Sequence, residues 1–353
     1  MVSRHCFELE WIAAIREKYP KTDPSIIEKT IYAFELLGLL AENGLDFIFK
    51  GGTSMLLHID RPRRLSIDVD IISNAEETPF EKIISDSIFL RYELDVRMAS
   101  EIPKSHHKYY YQSKVNKRED YILLDVVDSG NPYAKRIEAN VRTDFFVPEK
   151  EITIQVPTHD SLLGDKLTAF APNTIGVPYN KKKSMSIIKQ LIDVDDLFMS
   201  LEEPDELIYS YQKVLEVENR FRDRQFTTDD VLSDTIETCF LITQIDLKKS
   251  IRNEKTEEIR KGIQQIASHL LIPKYSLPEA KISASRVAYL AAVIKNRRDT
   301  PGAFFKRYQP EQVESLREID LTSPYQNLNR LHSALPEAFY YWYQVSLIEA
   351  AQN

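Results

Sequence analysis

The chain is poor in glycine, with nine residues in 353. Glycine serves backbone positions with φ > 0 and close backbone approaches. A chain so sparing of it is unlikely to place two side by side without a backbone reason, and Gly51 and Gly52 are adjacent. Cysteine is scarcer. Cys6 and Cys239 lie far apart without metal-ligand spacing, which argues against a disulfide framework and leaves two buried thiols of a reducing compartment. No apolar run approaches the roughly 20 residues of a membrane span, so no membrane partner is expected. Residues 1–11 include Arg4, His5, Glu8 and Glu10 and no apolar core, so no secretory leader is expected there and the cytoplasm is the expected compartment. An excess of positive charge is also missing. With 46 Lys and Arg against 54 Asp and Glu, the net charge is −8. That argues against a surface built for non-specific nucleic-acid binding, though not against a local basic groove. No internal repeat or low-complexity tract is present.

Apolar and charged fractions of 43% and 28% are those of a soluble globular protein, and the length suits two domains. The pattern changes near residue 158. Before it, Pro24–Ala41 reads as an amphipathic helix, with Ile27, Ile31, Phe34, Leu37 and Leu40 on one stripe and Asp23 as N-cap. Short β-branched and aromatic runs follow at residues 47–49, 67–72, 87–96, 108–115, 121–127, 139–146 and 151–156, bounded by turn formers. After Pro157 the strands stop. Helical periodicity covers residues 160–171, 187–200, 205–222, 228–247, 254–271, 280–295 and 337–351. The expected fold class is α+β: a mixed-sheet head with flanking helices over residues 1–157, then a mainly α-helical domain over 158–353. Residues 174–186, with Lys181, Lys182 and Lys183, read as a mobile basic loop.

The chemistry concentrates in about twenty residues of the head. Gly51-Gly52-Thr53-Ser54 follows an apolar strand and opens a short helix, which gathers backbone N–H groups at one spot and suits a phosphate. The spacing is not that of a P-loop. Asp68 and Asp70 sit at alternate positions of the next strand. Both carboxylates would point to one face while Ile67, Val69 and Ile71 point into a core. Two like charges on one face are costly unless a cation lies between them, and magnesium takes one or two carboxylates plus substrate phosphates. Asp125, inside the apolar run Tyr121–Val127, is a third carboxylate that would be expensive to bury unpaired. It could equally lie at a wet strand end or pair with an arginine. Asp128 and Asp144 are further candidates.

In this order, Lys50-Gly51-Gly52-Thr53-Ser54 followed by Arg64-Leu65-Ser66-Ile67-Asp68-Val69-Asp70 resembles the AbiEii/MenT family of toxin nucleotidyltransferases, within the DNA polymerase β-type fold. Leu65 and Ile67 replace the family's Phe and Glu. Two later segments are also similar. Ser161–Ala169 matches a Lys-Leu-x-Ala helix with Lys166 as its lysine. In Lys189–Phe198, Asp193, Asp196 and Leu197 match an Asp-x-x-Asp-Leu pattern. Gln190 and Ile192 stand where that family has basic residues, so Lys189 or Lys181–Lys183 would have to serve as the salt partner. The resemblance covers residues 46–198. It implies Mg2+, with Mn2+ as the alternative, held by Asp68, Asp70 and Asp125. It implies a nucleoside triphosphate bound by Lys50, Gly51, Gly52, Thr53, Ser54, Arg64 and Lys166. Asp196 would act on the acceptor hydroxyl, and residues 158–353 would form the other wall of the cleft. An RNA acceptor, the tRNA 3′ end in particular, and an antitoxin protein are the implied partners. A regulatory nucleotide binder without turnover and an antibiotic-modifying nucleotidyltransferase are the alternatives. For Asp193, Asp195 and Asp196 a capping and surface role is the competing reading. Lys295, Arg297, Arg298, Lys306 and Arg307, interleaved with Phe304, Phe305 and Tyr308, could bind an RNA backbone or simply form a solvated loop. Tyr289, Leu290, Val293 and residues 340–343 read as core.

Overall fold

The computed structural model describes residues 1–73, 80–85, 87–96, 104–180, 182–247, 252–296 and 305–351. The chain divides into two compact units. One comprises Met1–Leu162, Glu216–Arg224 and Ala267–Lys274; the other comprises Leu163–Leu215, Gln225–Ile266 and Tyr275–Asn353.

The first unit is built on a mixed sheet. Its elements are α1 (Leu9–Lys18), α2 (Pro24–Glu42), β1 (Ile48–Lys50), α3 (Gly51–Ser54), β2 (Val69–Ile72), β3 (Arg91–Leu94), β4 (Lys104–Gln112), β5 (Glu119–Val127), β6 (Arg136–Asn140) and β7 (Thr153–Pro157). The strand order is β3-β4-β5-β2-β1-β7-β6. The β2–β5 and β1–β7 pairs are parallel, and the others are antiparallel.

Asp23 caps α2 by accepting from the Ser25 N–H at 2.8 Å, with Pro24 in the first turn. The helix is buried on nearly all sides, not on one stripe. The sheet covers one face. The chain start covers another, where the Val2 N–H donates to Glu35 at 2.7 Å. Ile27, Ile31, Phe34 and Leu37 share a core with Phe49, Val69, Ile71, Tyr109, Tyr111, Ile122 and Leu124, and each such side chain contributes about 1.5–3 kcal/mol by leaving water. Strand alternation therefore sends Asp70, His106 and Asp125 to the opposite face.

Strand bounds differ from the sequence expectation: β3 covers only Arg91–Leu94 of the expected 87–96, and β2, β4 and β6 are shifted. Strand β2 starts at Val69, so Asp68 precedes it and Ile67 is only half-buried. Strand β4 starts four residues before Lys108 and ends at Gln112. Beyond it the Ser113 hydroxyl and the Lys114 N–H turn onto the buried Glu28 carboxylate, at 2.6 and 2.7 Å. The strand expected at 139–146 lies at Arg136–Asn140, because its partner β7 is in register there and Thr143 closes a turn onto the Phe145 N–H.

Helix α4 (His159–Ala169) leads from the first unit into the second. The second unit contains α5 (Ser184–Met199), most of α6 (Pro204–Phe221), α7 (Thr228–Gln244), α8 (Glu254–Gln265), α9 (Leu277–Asn296), α10 (Val313–Leu316), α11 (Leu331–Ala334) and α12 (Pro336–Ala350). Thr227 with Asp230 and Asn253 with Thr256 form capping boxes for α7 and α8. Helix α9 is buried along most of its length, and α5, α7 and α12 pack on it. Tyr289, Leu290, Val293, Tyr340, Tyr341 and Trp342 are core, as the periodicity implied, while Tyr343 is half-buried. The expected helix at 254–271 stops at Gln265. The backbone of His269 and Leu271 instead pairs with Leu65 and Arg63 at 2.8 and 2.9 Å. Both cysteines are buried free thiols.

Candidate active site

Four side chains share one row on the face of the sheet away from α2. Lys50 on β1 is in register with Asp70 on β2. Asp70 is in register with Asp125 on the parallel strand β5, and Asp125 with His106 on β4. The row brings two of the three expected carboxylates onto adjacent strands, where side chains directly opposite each other come within reach. Asp68, two residues before Asp70, is half-buried, and its carbonyl accepts from the Thr53 hydroxyl at 2.5 Å.

The glycine doublet fits against this row. Gly51 has φ +80°, a conformation that L side chains rarely adopt, and a Cβ there would overlap the Asp70 carboxylate. A Cβ on Gly52 would lie 2.7 Å from Ser66 Oγ and 2.9 Å from Arg64 Nη2. The two glycines thus admit Asp70 on one side and Arg64 on the other. Arg64 is 6% exposed and donates to the Leu65 carbonyl at 3.0 Å. It is also bridged to Leu270, so residues returning from the helical half of the sequence fix the segment that carries it. The hydroxyls of Thr53 and Ser54 are turned inward. Both side chains are buried, and the Ser54 hydroxyl donates to the Gly51 carbonyl at 2.9 Å.

His106 was not among the residues picked out by sequence. Its Nδ1 lies 2.6 Å from Asp125 Oδ1. The adjacent His107 points to the other face, where it meets Tyr92 Oη at 2.9 Å and Ser105 Oγ at 2.7 Å. Burial first, then the nearby His106, lowers its pKa from 6.5 to about 4. The other acid candidates lie elsewhere. Asp128 is exposed just beyond β5. Asp144 lines a separate pocket of about 200 Å³ with Tyr19, His58, Asp60 and Arg142.

In the second unit, Lys166 Nζ lies 2.8 Å from Asp193 Oδ2. The lysine and the first acid of the two similar segments are therefore one ion pair, with residue exposures of 6% and 1%. Asp195 is fully buried, bound to Ser283 Oγ at 2.7 Å and Arg286 Nη1 at 3.1 Å. The surface reading fails for both acids; Asp196 is half-buried. Ile192 is fully buried, which accounts for an apolar residue there. The loop before α5 is pinned by the buried Ile175 and Tyr179. Lys182 and Lys183 are exposed, and Lys181 lies outside the described residues. In the basic stretch, Arg307 stacks on Phe198 with 4.0 Å to the ring centroid and donates to the Phe198 carbonyl at 2.6 Å. Phe305 and Tyr308 join the same aromatic cluster. These three serve packing; Lys306 is exposed, and Arg297, Arg298 and Phe304 lie outside the described residues.

Among the described residues no group of three or more acidic, histidine or cysteine side chains closes into a metal cage. The donors are an adjacent carboxylate pair with Asp68 nearby in sequence, and two hard-oxygen ligands suffice for a magnesium ion that also takes water and phosphate. Nor is any helix of the described residues long and apolar enough to cross a membrane.

The match to a family model identifies the class: this is a nucleotidyltransferase. The family model of the nucleotidyl transferase AbiEii toxin, from Type IV toxin–antitoxin systems, matches residues 36–276, and the chain belongs to that family. The family implies a nucleotide substrate and an antitoxin partner. Among solved structures, JHP933 from Helicobacter pylori is similar at 15% identity with a TM-score of 0.45, covering 78% of this chain and 94% of that one. An antigenic nucleotidyltransferase-like protein from Paracoccidioides brasiliensis is similar at 13% identity with a TM-score of 0.35, covering 57% of this chain and 95% of that one. No curated protein matches the chain.

Proposed function

We propose that the chain moves a nucleoside monophosphate from a nucleoside triphosphate to a hydroxyl of an RNA acceptor, the tRNA 3′ end in particular. The register of Asp70 with Asp125 beside the Gly51–Gly52 turn supports the reading best. The acceptor hydroxyl gives up its proton to a carboxylate base as its oxygen forms a bond to the α-phosphorus; the bond from that phosphorus to the α–β bridging oxygen breaks, and pyrophosphate leaves. Asp68, Asp70 and Asp125 would hold Mg2+ or Mn2+. When bound, the ion supplies charge neutralisation on the phosphates and lowers the cost of forming the attacking alkoxide. The backbone N–H groups of Gly52, Thr53 and Ser54 orient the phosphates, while Lys50 and Arg64 provide fixed positive charge beside the turn. Lys166 and Asp196 are assigned on resemblance alone, Lys166 to phosphate charge and Asp196 to the acceptor hydroxyl.

Incubation with each α-labelled nucleoside triphosphate, total tRNA and Mg2+ or Mn2+ tests the reading. Label on RNA that disappears with a chelator is the expected result. Label on an added aminoglycoside instead would replace the acceptor class. Tight triphosphate binding without transfer to any acceptor would remove the reaction.

A further inference from the structure

We infer that His106 is a positioning residue for Asp125, an inference that rests on the nucleotidyl-transfer reading above. The two residues are direct cross-strand partners on β4 and β5. Their contact is 2.6 Å, with side chains 14% and 19% exposed. A carboxylate oxygen accepts, so in the tautomer that makes this bond Nδ1 carries the hydrogen and donates it to Asp125. One Asp125 oxygen is thereby held, and the other is presented in a fixed direction on the face that also carries Asp70. A partner that donates to a ligating carboxylate typically changes metal affinity when removed.

The bond is not needed to fasten β4 to β5. Their ladder already runs from Lys104 opposite Val127 to Gln112 opposite Glu119. Nor is His106 interchangeable with its neighbour, because His107 is packed against Phe80 and Tyr92 on the core face. The sheet thus separates a histidine that builds the core from one that meets a site carboxylate.

Titration of the full chain with Mn2+ alone, followed by the electron paramagnetic resonance signal of the free ion, tests the inference alongside thermal melting. His106→Ala should lower Mn2+ affinity about 10–100-fold. His106→Asn should restore most of it, because the amide nitrogen stands where Nδ1 stood. Asp125→Ala should also lower affinity, and adding His106→Ala to it should cause no further loss, since a residue acting through another is not additive with it. Wild-type affinity in His106→Ala, an Asn variant as weak as the Ala variant, or full additivity in the double variant would each overturn the inference. If Asp70→Ala transfers label like wild type, the site leaves this row and the inference goes with it. If Asp70→Ala is inactive while His106→Ala keeps wild-type affinity, only the role of His106 is removed.

Discussion

Gly51 and Gly44 both adopt positive φ, at +80° and +75°, but only Gly51 has a neighbour in the space a Cβ would take. Gly44→Ala should therefore cost only backbone strain, roughly 1–2 kcal/mol. Gly51→Ala should cost at least as much and also displace Asp70. Melting temperatures and label transfer measured on both variants separate the effects: Gly44→Ala should transfer normally once folded, and Gly51→Ala should not. The Lys166–Asp193 pair makes a second residue-scale prediction. Removing one partner of a buried pair leaves an uncompensated charge and costs about 3–5 kcal/mol. Lys166→Met should lower stability to chemical denaturation by that order, and Lys166→Met/Asp193→Leu should recover much of it. The carboxylates and the glycine doublet were legible because their chemistry is unusual for their positions. The Lys166–Asp193 pairing was not, because periodicity marks a helix face but not the helix that faces it.

The β4–β5 hairpin depends on a buried acid from another element. Glu28, 1% exposed, accepts from Ser113 Oγ, Lys114 N and, at 3.3 Å, Val115 N. Glu28→Ala leaves these donors unmatched and should cost about 1–3 kcal/mol, read by chemical denaturation. Element types were readable where the pattern is strong, in α2, α5–α7, α9, α12 and the aromatic and β-branched strands β4 and β5, whereas α1, α10 and α11 were not expected. Boundaries were less readable, with consequences for the site. The alternation from Lys108 to Tyr111 extends back to His106, but Ser105-His106-His107 carries no apolar signal that would start a strand. His106 was lost with that boundary. The early end of α8 has a similar cause. The backbone of His269–Leu271 is used by Arg63–Leu65, about two hundred residues away in sequence, and no local preference reports such a pairing.

At the scale of the whole molecule, the first unit draws on three stretches of chain, and one of them secures Arg64. Its stability should depend on pH through buried histidines. Burial lowers His107 to about 4, and burial, then the nearby His159, lowers His58 to about 4. Between that value and the ordinary 6.5 the unfolded chain binds protons that the folded chain does not. Stability from both residues is thus fully present above about 6.5 and is lost as pH falls toward 4. For His107 alone the loss is roughly 3 kcal/mol, so His107→Gln should flatten the dependence of unfolding free energy between pH 7 and pH 5. The functional account rests on Asp70, which stands in register with both Lys50 and Asp125 and against Gly51. Its most direct test compares wild type with Asp70→Asn, a nearly isosteric change, in transfer of α-labelled nucleotide to RNA at saturating Mg2+. A folded variant that transfers at least about a hundredfold more slowly is expected; transfer at the wild-type rate would remove Asp70 from the reaction.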